Sequence, residues 1–216
     1  MYTESELEIK GHTGNIKNSF YAQAHRTGKL AIILPGFGYT CNMPLLYYPT
    51  LLLLNSGYDV LLVKPGYNTN KAFEAAKDKE KRTWIKDDAI ASANAALART
   101  GCTHLVIVGK SIGTMSAAFI LESCNIPKDT TTVWITPIIN ERKTFEAMKR
   151  LSNGRSVLAI GTADRIFDKN RVEELKNAGV RTIIVKNADH SMIIKGNVHG
   201  SIRALEDILK ELKHII

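Results

Sequence analysis

The stretch that decides the fold is LVIVGKSIGT, residues 105–114. Four apolar residues, three of them β-branched, stop at Gly109. Lys110, Ser111, Ile112 and Gly113 follow, and then a segment that reads as helix. A strand feeding a glycine turn that opens a helix serves two unrelated devices. One cradles phosphates on a long glycine-bearing loop; the other lifts a serine onto a strained turn. The phosphate device needs a first glycine at position 104, which is His104, and loop at 105–108, which reads as strand. That device has no room to exist. The second needs G-x-S-x-G, and Gly109, Ser111 and Gly113 meet it. Strand and helix backbones approach closely around such a serine, which is why glycines flank it. Ser111 then sits at a helix N-terminus, where a developing anion is favoured, and the Ile112 N–H can point at an oxyanion. Thr114, Ser116, Ala117 and Ala118 are small enough for the helix to press on a sheet.

Outward from this turn the chain alternates. Strand patterns fall at Leu30–Leu34, Asp59–Val63, Leu105–Val108, Thr132–Ile135, Val157–Ile160 and Arg181–Val185. Such near-continuous Val/Ile/Leu runs suit strands buried on both faces of a parallel sheet. Between them lie helix patterns: Ile85, Ala89, Ala93, Ala96 and Leu97 share one face, as do Val198, Ile202, Leu205, Leu209 and Leu212. Two extended segments near Leu7–Lys10 and Ser19–Ala24, with turn residues at 11–15 between them, read as an opening hairpin. The expected architecture is α/β: a doubly wound, mostly parallel sheet of about eight strands, helices on both faces and an antiparallel N-terminal hairpin. No repeat or linker divides residues 1–216, so a single domain is expected.

Ligands of such sheets bind beyond the carboxyl ends of the strands. The first strand ends in Pro35-Gly36-Phe37-Gly38-Tyr39. A serine esterase takes a second oxyanion donor from this loop, and the Phe37 N–H, flanked by glycines, is the candidate. A dinucleotide fingerprint is excluded there, because Cys41 replaces the third glycine and no acid ends the next strand. Gly161-Thr162-Ala163-Asp164 follows Val157–Ile160, and a carboxylate at Asp164 suits the orientation of an imidazole. Its competitor, Asp168, reads as the N-cap of a helix from Lys169. His190 follows the last strand and suits a general base; of the five other histidines, only His199, inside the final helix pattern, competes. Asp189 reads as a turn-former. The order is Ser111, Asp164, His190, each just past a strand.

In LPGFG at 34–38, GKSIG at 109–113, GTAD at 161–164 and ADH at 188–190, the chain resembles the α/β-hydrolase superfamily over essentially its whole length. The resemblance implies Ser111 as nucleophile, His190 as general base and acid, Asp164 as orienting acid, and Phe37 and Ile112 N–H groups as oxyanion hole. It implies cleavage of a small or medium carboxylic ester or thioester without a cofactor. The superfamily also contains non-catalytic small-molecule binding or partner-interaction members, which is the alternative reading. Two departures stand out. The gap between Ile135 and Val157 holds one short helix pattern, near Glu141–Leu151, so no sizeable lid is expected. Lys110 before the serine is unusual; it is expected to snorkel to water, or else to contact an acidic substrate group. Pocket candidates from strand-end loops are Phe37, Tyr39, Tyr67, Ile138, Ile139 and Met192, and residues 66–82 are long enough to fold over the site.

Composition bounds the rest. A 216-residue chain, 44% hydrophobic, can bury a substantial core. Its net charge of +8 is spread among acids, as in KDKEKR at 77–82, so no nucleic-acid role is expected. No apolar run approaches a membrane span. The opening MYTESELEIK is unlike a secretory leader, and Cys41, Cys102 and Cys124 form no disulfide or metal pattern. The expectation is a cytoplasmic enzyme without metal, monomer or homodimer.

Overall fold

The computed structural model describes residues 1–12, 14–150 and 154–216. Its eight strands form one sheet in the order β1-β2-β4-β3-β5-β6-β7-β8. The hairpin runs longer than its apolar cores suggested. β1 (Tyr2–Lys10) pairs antiparallel with β2 (Asn15–Gln23) in a register that matches Tyr2 with Gln23 and Lys10 with Asn15. β2 also pairs antiparallel with β4 (Asp59–Leu62). From β4 onward every pairing is parallel: with β3 (Lys29–Leu34), then β5 (His104–Lys110), β6 (Thr131–Ile135), β7 (Ser156–Gly161) and β8 (Arg181–Val185).

The continuous apolar runs are explained by two cores, one on each face. Along β3, Leu30, Ile32 and Leu34 enter one core while Ala31 and Ile33 enter the other; along β5, Leu105 and Ile107 oppose Val106 and Val108. A period of two with both faces covered leaves no polar position in the strand. The first core is closed by α3 (Asp78–Thr100), α4 (Ile112–Ser123), α5 (Arg142–Arg150) and α6 (Lys169–Asn177). The second is closed by α1 (Pro44–Asn55) and α7 (Val198–Ile215). A further short helix, α2 (Lys71–Ala75), lies beyond β4. Between β6 and β7, α5 is the one helix among the described residues, and it packs on α4. The final residue of its expected pattern, Leu151, lies outside the described residues. Asp168 caps α6 as expected, its side chain accepting from the N–H groups of Asn170 and Arg171.

Candidate active site

β5 delivers Ser111 at its carboxyl end. The residue is held at φ 54°, ψ −120°, a region that costs a non-glycine residue of order 1–3 kcal/mol. Surrounding bonds hold it there. The Ser111 N–H donates to the Ile135 carbonyl (3.0 Å), and its own carbonyl accepts from the Thr114 N–H (2.9 Å) and the Thr114 hydroxyl (2.6 Å). Gly113 is sterically required, since a Cβ there would run into the Leu34 carbonyl of the neighbouring strand. Helix α4 therefore starts directly beneath the end of β3 and brings the β3 loop to the serine.

The acid and the histidine arrive together for a similar reason. Gly161 ends β7 against the Ala188 carbonyl, and a Cβ at 161 would overlap that oxygen. The Ala163 N–H donates to the same carbonyl (3.0 Å), and the Asn187 N–H to the Thr162 hydroxyl (2.8 Å). The loops after β7 and β8 are thus laced to each other. Across them His190 Nδ1 stands 2.7 Å from Asp164 Oδ2, while His190 Nε2 stands 2.9 Å from Ser111 Oγ. The Asp164 side chain is fully buried and its other oxygen accepts from the Ile166 N–H (3.0 Å); the imidazole keeps 28% of its surface. In the neutral tautomer protonated at Nδ1, this geometry lets the ring donate to Asp164 and accept the serine hydroxyl at Nε2. Asp189 forms a turn, its Oδ1 accepting from the N–H groups of Ser191 and Ile193. Of the two competing residues, Asp168 caps α6 and His199 is exposed on α7.

Of the two candidate oxyanion donors, Ile112 follows the serine directly, and Phe37 follows Gly36, where a Cβ would lie 3.4 Å from Ser111 Cβ. Ile112 opens α4, so its N–H belongs to the first turn and has no intrahelical acceptor. The Phe37 N–H has no acceptor among the described residues, whereas its neighbour Gly36 donates to the Tyr39 carbonyl (3.0 Å).

The structure corrects the expectation for Lys110. It does not reach water. It is 3% exposed, with Nζ 4.7 Å from the centroid of the Tyr39 ring. The cause is strand alternation: Lys110 shares the face of Val106 and Val108, and the Gly36 turn closes over its stem. Burial pulls its pKa down from 10.5 to about 8, against the opposing pull of the Asp164 and Asp189 charges.

The expected pocket residues separate. Tyr39 and Met192 line a groove of about 580 Å³ between the start of α1 and the loop after β8. Tyr67 and Phe37 line a second cavity of about 300 Å³ on the other side of the β3 loop. Tyr67 is turned inward, its hydroxyl donating to Asp88 Oδ2 (2.8 Å), and burial raises its pKa. Ile138 is half-buried and lines neither cavity; its N–H donates to the Thr114 hydroxyl (3.2 Å). Ile139 is fully buried in the first core, which removes it from any pocket. In residues 66–82, Phe73 of α2 stacks on Tyr67 (4.2 Å between centroids) and on Phe37 (6.3 Å), bracing the flank of the β3 loop.

No family model matches the sequence, and no curated protein does. Solved structures do. A putative α/β hydrolase from Agrobacterium tumefaciens superposes with a TM-score of 0.73 at 16% identity, over 97% of this chain and 95% of its own. An α/β serine hydrolase without a lid from Xanthomonas campestris gives 0.68 at 16% identity, over 98% and 92%. A dienelactone hydrolase from Anabaena variabilis gives 0.67 at 13% identity, over 99% and 98%. The chain has the α/β-hydrolase fold.

Proposed function

We propose that the protein is a serine hydrolase, one domain over residues 1–216 with no sizeable lid, that cleaves a small or medium carboxylic ester or thioester through an acyl-enzyme on Ser111. The observation that carries this reading is the unbroken hydrogen-bonded chain from Ser111 Oγ through His190 to the buried Asp164 carboxylate. His190 Nε2 takes the hydroxyl proton as Ser111 Oγ bonds to the substrate carbonyl carbon. The carbonyl electron pair moves onto oxygen, which is met by the N–H groups of Phe37 and Ile112. The tetrahedral adduct collapses, the bond to the alcohol or thiol breaks, and the imidazolium returns the proton to the leaving group. Water, deprotonated by His190, then releases the acid and restores the serine. Asp164 stabilises the imidazolium in both halves and holds its tautomer. Loss of one oxyanion donor is expected to lower kcat about 10²–10³-fold.

Fluorophosphonate labelling with the adduct located by peptide mass spectrometry tests the reading without choosing a substrate. A single adduct on Ser111, lost in His190→Ala and Ser111→Ala, is expected. A folded protein that takes no adduct overturns the assignment and favours the non-catalytic binding alternative.

A further inference from the structure

The groove of about 580 Å³ lies between two loops that both reach the candidate nucleophile. One wall is Tyr39, from the loop that carries Phe37. The other begins at Ser191 and Met192, directly after His190. The same two loops reach Ser111, the first at Gly36 and the second at His190, so the groove's walls continue directly from the residues around the serine. Around the rim stand Ile193, Val198 and Ile202, exposed by 51%, 72% and 58%. Single exposed apolar side chains are ordinary, but three converging on one concavity mark a binding surface. The floor is Met192, 1% exposed and held at φ 59°, a conformation an unbranched non-glycine residue keeps only when its surroundings impose it.

Four polar side chains line the groove, those of Tyr39, Ser191, Lys195 and Ser201, and two of them are spent on the protein's own backbone. The Tyr39 hydroxyl accepts from the Leu45 N–H (2.9 Å). The Ser201 hydroxyl donates to the Asn197 carbonyl (3.0 Å) and accepts from the Ile194 N–H (2.8 Å). A sugar, nucleotide or peptide placed there would find only Ser191 and Lys195 to replace the many water-facing hydrogen bonds it loses. A hydrocarbon would lose none. We propose that this groove binds an unbranched hydrocarbon chain attached to the scissile ester. The inference rests on the serine-hydrolase reading and narrows its substrate class to aliphatic esters or thioesters.

Two substrate series distinguish the acyl from the alcohol side: p-nitrophenyl acetate through decanoate, and ethyl through octyl acetate. In one series kcat/KM is expected to rise about fourfold per added methylene until the groove is filled. The double variant Val198→Ser, Ile202→Gln changes two rim positions that carry little packing, and is expected to flatten that rise. Ile184→Gln, on the exposed side of β8 and outside the groove, is the control for a surface change and should leave the rise intact. Calorimetric titration with octanoate and butyrate reads the groove without turnover. Octanoate is expected to bind at least tenfold more tightly than butyrate, and the double variant to erase the difference. Flat rates in both series with Ser111 still labelled overturn the groove and leave the serine reading standing. A chain-length preference that survives the double variant also overturns it. Groove-dependent octanoate binding in a protein that takes no fluorophosphonate overturns the serine reading and leaves the groove standing.

Discussion

Replacing Lys110 with Met should make the protein more stable. The side chain is 3% exposed, and burial draws its pKa from 10.5 to about 8. At about 1.4 kcal/mol per tenfold change in proton affinity, that displacement amounts to ~3 kcal/mol of destabilisation while the group is charged in the fold. Some is returned by the contact of Nζ with the Tyr39 face, worth about 0.5–2 kcal/mol. Methionine keeps an unbranched stem and drops the charge, so Lys110→Met should gain about 1–3 kcal/mol at pH 7. The dependence on pH has a definite sign. Between pH 8 and 10.5 the unfolded chain holds a lysine proton that the folded chain has shed, so this group adds stability as pH rises. Cys41 and Cys102, pushed up to about 12 and about 11 by burial, pull the other way above pH 9. They do so equally in both proteins and cancel in the difference. Urea unfolding at pH 6, 7, 8, 9 and 10 should therefore show a variant advantage that is constant below pH 7 and shrinks toward pH 10. A variant that is less stable at pH 7, or an advantage that ignores pH, would refute the reasoning.

Two further outcomes follow from the loops around the site. Ser111→Gly removes the hydroxyl and relieves a backbone at φ 54°, so denaturant unfolding should show a gain of about 1 kcal/mol alongside complete loss of fluorophosphonate labelling; a loss of stability would mean that the turn is not strained. Gly161→Ala forces the loops after β7 and β8 apart at Ala188, so the second-order rate of Ser111 labelling should fall about 10²–10⁴-fold while the circular dichroism of the fold persists; an unchanged rate would show that the Asp164–His190 pairing does not govern reactivity.

Much of this was readable in the chain. The strands were legible because burial on both faces leaves unbroken apolar runs, and the elbow because a serine between two glycines after such a run has few structural uses. Asp164 and His190 were legible from position alone, each standing just past a strand end. Helix α1 was not. Its sequence, PLLYYPTLLLLN, carries an internal Pro49 and apolar residues nearly all round, so no polar face announces a helix. It is helical because one side seals the second core, while Tyr47 and Tyr48 remain exposed on the other. The orientations of Lys110, Tyr67 and Ile139 are not legible in the sequence for a common reason: which way a side chain turns at a strand or loop end depends on what closes over it. For Lys110 that is the Gly36 turn, for Tyr67 it is Asp88, and for Ile139 it is the first core together with Arg171, which donates to its carbonyl.

The sequence by itself determined the order of elements, the strained turn and the three residues of the hydrogen-bonded chain, because each is written in local patterns of polarity and glycine. The tertiary structure alone decided the burial of Lys110 and the groove beside His190. Both are made by segments far apart in the chain, the loop before α1 and the loops after β5 and β8, and no local pattern records how closely distant backbones will approach.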